Sequence, residues 1–323
     1  MSSESLDRRT FLKLGIASTA AAAFSPPVPP ASARAKKMLA CPPSLAEMAS
    51  DRLTYRLRDL FNCPVAMNEF GYAQTGKSVS AITAISFPPY ACCGVPETAW
   101  SPGFLLTCEL VLHGRFLAIA PPPDGNVEYQ WLPHCVVRTQ TAEHLRFTTR
   151  LFLPNKRRAV AQSIAIKNLD SIERRFTLAF DMRGAVARKT TPWFVNSPGE
   201  ADNKITWDAP RGCLLFAARH SEIAAAQGFH PAPNRVEHTR MLVFDMVLSP
   251  GEQKELNYIC AIAENGRAAL ELYDGLQVDF ASLAKENESV FTGQVQAAFT
   301  PGNSEFSGNL PRLVTNDESL WQL

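Results

Sequence analysis

Hydrophobic positions along the chain change their period twice, and the first stretch favours a helix. Between Leu45 and Phe61 the apolar residues recur every three or four positions, with charged residues between them. This spacing predicts a short amphipathic helix. Ser44 stands directly before it, where its hydroxyl would cap the first turn.

The middle stretch, from about Val79 to Ile262, has the pattern of a β-rich domain. Short segments rich in β-branched and aromatic residues alternate with clusters of Pro, Gly, Asn and Asp, which predict strands and turns respectively. Many strands with regular turns and no helices between them favour a large antiparallel β-sandwich. The clearest predicted strands are Phe104 to Ala120, Val127 to Arg138, Leu145 to Leu153, Ala159 to Asn168, Arg174 to Gly184, Lys204 to Trp207, Leu214 to Ala218, Met241 to Leu248 and Lys254 to Ile262.

After the strands, the period returns to three and four between Arg267 and Phe299. This predicts a mainly helical segment with a break near Gly275. A linker-like stretch follows, and then Asn316 or Asp317 stands before acidic residues, as at the first turn of a helix. Because the chain ends about one turn later, we expect residues 264–323 to hold linking helices and the start of a truncated helical domain.

The N-terminus has the three parts of an export signal. Arg8 and Arg9 precede Phe-Leu-Lys, the apolar run Leu14 to Phe24 follows, and Ala33 to Ala35 offers a small-residue cleavage site. The paired arginines resemble those of twin-arginine leaders. The resemblance implies that the twin-arginine export machinery recognises Arg8 and Arg9 and delivers the chain to the periplasm or beyond. The apolar run is shorter than the roughly 20 residues that span a bilayer, so no stable membrane anchor is expected.

These patterns predict four regions: a signal peptide at 1–35, an N-terminal helix and lead-in at 36–78, the β-sandwich at 79–263 and the linking helices at 264–323. The 323 residues are 46% hydrophobic and 20% charged, a composition typical of a globular chain. With 32 basic against 31 acidic residues, the chain lacks the broad field that attracts nucleic acids. Nucleic acid is therefore not an expected partner.

Cysteines and histidines do not form a metal-binding pattern. The eight cysteines contain no Cys-x-x-Cys spacing, and we interpret most of them as small buried hydrophobic residues. The six histidines are dispersed, and the vicinal pair Cys92 and Cys93 has no histidine beside it at ligand spacing. The sequence also has no glycine-rich phosphate loop. No metal and no cofactor are predicted.

Aromatic residues mixed with polar ones mark two segments as candidate sugar contacts. Trp131 and His134 lie on one predicted strand and its turn, while Trp193 and Asn196 lie on a second turn. Sugar rings offer apolar C–H faces and directional hydroxyls, which aromatic and fixed polar side chains match. We predict Trp131, His134, Trp193 and Asn196 as contacts of a carbohydrate or of a partner domain. The alternative is that the aromatic residues belong to the core.

Hydrolysis of a glycoside requires two carboxyl groups that face each other across the bond. Glu128, Asp181 and Glu200 lie near the aromatic segments. The sequence does not indicate which of them come together, so no catalytic residue is predicted.

The C-terminal junction carries a resemblance to a known class of enzymes. Ala298 to Asn303, Phe306 to Pro311 and Thr315 to Asp317 follow an export leader and a predicted sandwich. This order resembles the N-terminal half of bacterial six-hairpin glycosidases. The resemblance implies a β-supersandwich similar to that of galactose mutarotase, followed by a helical α/α toroid that carries the catalytic carboxylates. This chain would end about where the toroid begins, so we expect it not to be catalytic alone.

Four hypotheses about function remain open at this point. The chain is the sandwich module of an exported glycoside hydrolase, or a stand-alone protein that binds a glycan on its aromatic strands. A third hypothesis is a mutarotase-like enzyme, for which His134 and Glu128 are the best available pair. The fourth is a structural role, in which the sandwich docks on a helical partner chain.

Overall fold

Strands dominate the computed structural model, which describes residues 42, 44–48, 54–56, 63–93, 108–117, 127–183, 185–188 and 203–310. The helices and strands within these ranges lie in the unit formed by residues 43–323. The strands are β1 (Thr54–Arg56), β2 (Val65–Asn68), β3 (Gly71–Thr75), β4 (Ile82–Phe87), β5 (Tyr90–Cys93), β6 (Glu109–Leu112), β7 (Arg115–Phe116), β8 (Glu128–Leu132), β9 (Cys135–Ala142), β10 (Leu145–Phe152), β11 (Ala159–Asn168), β12 (Arg174–Asp181), β13 (Ala185–Arg188), β14 (Asn203–Asp208), β15 (Cys213–Ala218), β16 (Ala224–His230), β17 (Arg235–Glu237), β18 (Met241–Leu248) and β19 (Gln253–Ala263). The helices are α1 (Leu45–Met48), α2 (Gly266–Gln277) and α3 (Phe280–Ala298).

The described strands form three antiparallel sheets. The large sheet has the order β1-β8-β9-β10-β11-β19-β16-β15-β14, the second sheet β17-β18-β12-β6-β7 and the third sheet β13-β5-β4-β3-β2. Buried residues of all three sheets belong to one core cluster, for example Ile164 of β11, Phe180 of β12 and Ile85 of β4. The second and third sheets therefore cover the inner face of the large sheet. The prediction of a mainly β, antiparallel sandwich with helical appendages is confirmed.

Side-chain size differs between the two faces of the large sheet. On β11 the inner face carries Val160, Ile164 and Ile166, whereas the outer face begins with Ala159 and Ala161. Alanine and cysteine continue the outer face across the neighbouring strands. Small residues allow a helix backbone to approach a sheet closely, and α2 lies on this surface through Ala269, Tyr273 and Leu276.

Tyr273 of α2 rests on a glycine of β16. A Cβ atom at Gly228 would overlap the Tyr273 hydroxyl and would lie 2.7 Å from both Cys213 Cβ and Gly212 O. Only glycine fits between the strand and the helix at this point. Asn265 caps the N-terminus of α2 by accepting a hydrogen bond from Ala268 N.

The loop of residues 76–81, between β3 and β4, is bonded to four neighbouring strands of the large sheet. Tyr129, Arg138, Thr149 and Gln162 each donate from the inner face to a carbonyl of this loop. All four side chains are fully buried. The bonds are Tyr129 Oη to Gly76 O at 2.8 Å, Arg138 Nη1 to Ser78 O at 3.0 Å and to Ala81 O at 2.6 Å, Thr149 Oγ1 to Val79 O at 2.6 Å, and Gln162 Nε2 to Ser80 O at 2.8 Å.

The predicted N-terminal helix is only partly confirmed. Leu45–Met48 is helical, but Thr54–Arg56 forms β1 and pairs with β8 at the edge of the large sheet. Backbone pairing with β8 outweighs the helical spacing of the apolar residues. Strands also begin earlier than expected, because β2 and β3 precede Val79.

The two C-terminal helices follow the prediction closely. Gly275 lies within α2, and the break comes at Val278 and Asp279, because Asp279 caps α3 by accepting a hydrogen bond from Ser282 N. The N-terminal part of α3 packs on the outer face of the large sheet, where the rings of Phe280 and Phe152 meet edge to face at 5.6 Å. The predicted helix start at Asn316 lies outside the described residues. No helix in the described ranges has both the length and the apolar character needed to cross a bilayer.

We expect Gly228→Ala to destabilise the protein by about 2–3 kcal/mol, because the new methyl group must displace the Gly212 carbonyl or the α2 helix. Gly275→Ala is the matched control, since nothing lies within 4 Å of the position that its Cβ would occupy. That change should stabilise the helix by about 0.5–1 kcal/mol. Thermal unfolding of both variants tests the contact, and equal effects of the two substitutions would contradict it.

Candidate functional site

A cavity of about 240 Å³ lies between α3 and the turn that joins β2 to β3. Its lining mixes apolar and polar side chains, and the described lining residues include one carboxylate and no cation. The residues that line it are Met67, Asn68, Glu69, Asn155, Asn287, Val290, Phe291 and Gln294.

Asn68 fixes the turn that forms one wall of the cavity. Its Oδ1 accepts hydrogen bonds from Phe70 N and Gly71 N, at 3.0 and 3.2 Å. Its Nδ2 donates to Pro154 O and Arg157 O, each at 2.9 Å. The side chain is thus fully used in joining the β2–β3 turn to the β10–β11 turn, and its role is to build the wall.

Met67 forms part of the apolar lining of the cavity, and Tyr72 is its cross-strand neighbour. They lie directly opposite each other on β2 and β3, so their side chains share one face of the hairpin. Met67 is 56% exposed and Tyr72 is 36% exposed. A partly exposed aromatic ring therefore lies next to Met67 on the same face of the hairpin.

His134, in the turn between β8 and β9, contacts α3. It is 4% exposed, and its carbonyl oxygen accepts a hydrogen bond from Asn287 Nδ2 at 2.7 Å. Its ring lies 6.5 Å from the ring of Phe291. Two residues of the cavity wall, Asn287 and Phe291, are therefore positioned by contacts with His134.

The contact with Arg150 of β10 determines which ring nitrogen of His134 carries the proton. Arg150 Nη2 lies 2.7 Å from His134 Nε2. Because a guanidinium can only donate, Nε2 is the acceptor and the ring proton is assigned to Nδ1. Burial lowers the pKa of His134 below its ordinary value of 6.5, the positive charge of Arg150 lowers it further, and Glu288 opposes both. His134 is therefore neutral at pH 7.

Two polar atoms at the base of the cavity wall have no hydrogen-bond partner among the described residues. They are His134 Nδ1, a donor in the assigned tautomer, and Asn287 Oδ1, an acceptor. Leaving such buried groups unpaired costs about 1–3 kcal/mol each. This cost lowers the stability of the contact between α3 and the large sheet.

The structure gives Trp131 a definite partner. Its Nε1 donates to Val65 O of β2 at 3.2 Å, and its half-buried ring packs against the core. Trp131 thus bonds the large sheet to β2 of the third sheet, the strand that leads into the cavity wall. Its contact with a sugar stays a prediction. Trp193, Asn196, Arg8 and Arg9 lie outside the described residues.

The carboxylates near the aromatic segments separate in the structure. Glu128 is exposed at the start of β8. Four residue steps of extended chain separate it from Leu132 at the other end of the strand, a distance of about 13 Å. His134 lies beyond that end. The pair suggested for mutarotase chemistry is thus not brought together. Glu200 lies outside the described residues.

Asp181 instead lies beside Glu109, its cross-strand partner on β6. Arg183 Nε and Arg240 Nε donate to the two oxygens of Asp181 at 2.6 and 3.0 Å. Burial, with the charge of Asp181, raises the pKa of Glu109 to about 7. Glu109 and Asp181 are only 5% and 2% exposed, so a glycosidic bond has no access to the space between them.

In the ranges given above, no group of three or more His, Cys, Asp or Glu side chains could hold a metal ion. Cys108, Cys135, Cys213 and Cys260 are free and buried, and Cys63 is free and half-buried. These residues fit the interpretation as small buried hydrophobic residues. Cys41 and the side chains of Cys92 and Cys93 lie outside the description.

His134 was predicted from the sequence, but the other residues that complete the site were not. Asn287 and Phe291 lie on α3, 153 residues or more along the chain from His134. Phe291 was visible as one apolar position of a predicted helix, and Met67 lies in a segment without a clear pattern. No signal in the sequence indicates that these positions surround one cavity.

Comparison with known proteins gives no family. No family model matches the chain, and no curated protein matches it. Among solved structures, the chain is similar to a protein described as a kojibiose phosphorylase from the human microbiome, with 11% identity, a TM-score of 0.44, and coverage of 70% of this chain and 35% of that one.

Two other similar structures are a bacterial glucoamylase in complex with acarbose and an Escherichia coli K12 protein described as an aldose 1-epimerase. The glucoamylase has 10% identity and a TM-score of 0.40, with 71% of this chain and 36% of that chain covered. The epimerase has 8% identity and a TM-score of 0.31, with 65% and 99% covered. This chain thus spans about a third of the first two proteins. All three TM-scores are below 0.5, so we draw neither the fold nor a function from these matches.

We expect the stability of the protein to fall as the pH rises from 4.5 to about 7, as far as Glu109 contributes. In this window the folded state keeps a proton that the unfolded state releases, and above it both states are ionised. Glu109→Gln should remove this part of the slope, whereas Glu128→Gln, at an exposed carboxyl, should keep it. Urea unfolding across the pH range measures the difference, and an unchanged slope in Glu109→Gln would contradict the assignment.

Proposed function

We propose that this chain is an exported carbohydrate-binding protein, built as the sandwich half of a glycoside hydrolase and not catalytic alone. The cavity between α3 and the β2–β3 turn would hold one sugar unit. The observation that carries the proposal is the mixed lining of this cavity, where apolar and hydrogen-bonding side chains face a common space.

The size of the cavity favours a small ring. Pockets for drug-sized ligands measure roughly 300–1,000 Å³, and this cavity measures about 240 Å³. Phe291 and Met67 can contact the C–H face of a sugar, while Glu69, Asn155 and Gln294 can bond its hydroxyls.

The carboxylates of the cavity favour binding over hydrolysis. Glu69 is the single carboxylate among the described lining residues, and the buried pair Glu109 and Asp181 lies on the second sheet. A glycosidase needs two carboxyls on either side of the bond. The proposed role is therefore to hold a sugar and leave its bonds intact.

A second candidate function, docking of a helical partner domain, is favoured by the loop after α3. Asn303 orders this loop by donating to Thr300 O and Gly308 O and accepting from Phe306 N. The loop presents Phe306 and Leu310, which are 47% and 53% exposed. A fixed, exposed apolar pair of this kind suits contact with an adjoining helical domain.

We expect calorimetric titration with a panel of neutral monosaccharides and disaccharides to find a sugar that binds. Phe291→Ala should weaken that binding by about tenfold, through loss of ring contact. Phe306→Ala is the matched control outside the cavity and should bind as the original protein does. Failure of the whole panel at millimolar concentration, or equal loss in both variants, would contradict the sugar site.

We expect the double substitution of Arg8 and Arg9 by Lys to keep the precursor in the cytoplasm, because the export machinery reads the arginine pair. Fractionation followed by intact mass measurement tests this, with the unsubstituted chain as control. A mass matching residues 36–323 would favour stand-alone sugar binding, and a much larger mass would favour the docking function. Unchanged export of the double variant would defeat the leader assignment.

A further inference from the structure

We propose that His134 is the positioning residue of the cavity: it holds the α3 wall in place only while its ring is neutral, so the cavity loses its ligand as the pH falls. The ligand part of this inference rests on the proposed sugar site. The helix part stands on the contacts of α3 alone.

The first argument is the line of contacts along α3. Phe280, Leu283 and Ala284 pack on the outer face of the large sheet, and Asn287 and Phe291 continue the same stripe at helical spacing. Asn287 is the most deeply buried residue of the helix, at 2% exposure. Its bond to His134 O is therefore the central polar contact between α3 and the sheet.

The second argument is the set of charged and titratable groups that face His134. Arg150 of β10 donates to Nε2, Glu288 of α3 lies 3.5 Å from the same Arg150 nitrogen, and the Cys135 thiol of β9 hydrogen-bonds with Arg150. Protonation of His134 removes the acceptor and places two cations 2.7 Å apart. Glu288 is exposed, at 53% of its side chain, and screens this repulsion weakly.

Relief of the repulsion moves the cavity wall. Either the imidazole or the guanidinium must swing away. The imidazole packs near the Phe291 ring, and the backbone carbonyl of the same residue accepts the Asn287 bond. A swing of the imidazole therefore removes the Phe291 contact directly and disturbs the Asn287 bond through the β8–β9 turn. His134 Nδ1 and Asn287 Oδ1 have no hydrogen-bond partner within the described residues, so no hydrogen bond of these two atoms opposes the movement. The part of α3 that carries Asn287, Val290 and Phe291 would then loosen, and these residues line the cavity.

The direction of the pH effect follows from the environment of the ring. We call the form with α3 seated on His134 closed, and the form with α3 loosened open. Burial and the charge of Arg150 lower the pKa of His134 below 6.5 in the closed form, which therefore binds fewer protons than the open form. The closed form is fully favoured above pH 6.5 and is lost as the pH falls through the lowered value.

Two measurements on the full chain test the inference separately from the sugar site. Hydrogen exchange of the α3 peptides, corrected for the intrinsic pH dependence, should become about tenfold faster between about pH 7.5 and 5. Titration of the sugar identified by the panel should weaken by a similar factor over that range. His134→Gln, which can still accept from Arg150 but cannot be protonated there, should show neither change. His220→Gln, at an exposed histidine of the β15–β16 turn, is the matched control and should behave as the original protein.

An NMR titration of the original protein keeps the test decisive if α3 fails to pack on the sheet in the His134→Gln variant. The shift of the His134 ring carbon should have a midpoint below 6.5, coincident with the midpoint of the α3 exchange. A midpoint at or above 6.5, or α3 exchange that does not change with pH, would overturn the inference. If α3 loosens as described but no sugar binds at any pH, the positioning role stands and the proposed sugar site fails. If a sugar binds with the same affinity at both pH values, the sugar site stands and this inference fails.

Discussion

The guanidinium of Arg138 lies fully buried between the large sheet and the third sheet, with carbonyl and amide oxygens around it. Burial lowers the pKa of Arg138 to about 10, so the cation persists at neutral pH. Its Nη1 and Nη2 atoms donate to these oxygens, while its Nε has no partner among the described residues. A hydrogen bond to a buried charged group typically contributes about 1.5–3 kcal/mol. The loop of residues 76–81 supplies two of these oxygens and is thereby held against the sheet. Because β2 and β3 belong to the sheet that this loop enters, the wall of the cavity depends on Arg138 as well.

Much of the sandwich could be predicted from the sequence because its inner strands alternate large and small or apolar and polar residues. Ala159 to Asn168 and Met241 to Leu248 were predicted to the residue. β16 was missed because Ala224, Ala225 and Ala226 carry no strand preference of their own. Their extended form is set from outside, by pairing with β15 and β19 and by the close approach of α2.

The candidate site is harder to predict, because the cavity forms where segments distant in sequence meet. The aromatic pattern drew attention to Trp131 and His134, and both lie on the path from the sheet to the cavity wall. Their observed contacts are with backbone carbonyls and with α3, which local spacing cannot reveal. The sequence pattern located the region but not the role of each side chain.

The layer of small residues beneath α2 has a mechanical consequence. Excluded volume sets the distance of α2 from β16, because the Tyr273 hydroxyl can approach the strand only where Gly228 has no side chain. Val278 and Asp279 are the only residues between α2 and α3, so this short joint passes a shift of one helix on to the other. A bulkier residue on β16 would therefore act at a distance, by tilting the joint and changing the width of a cavity that it does not touch.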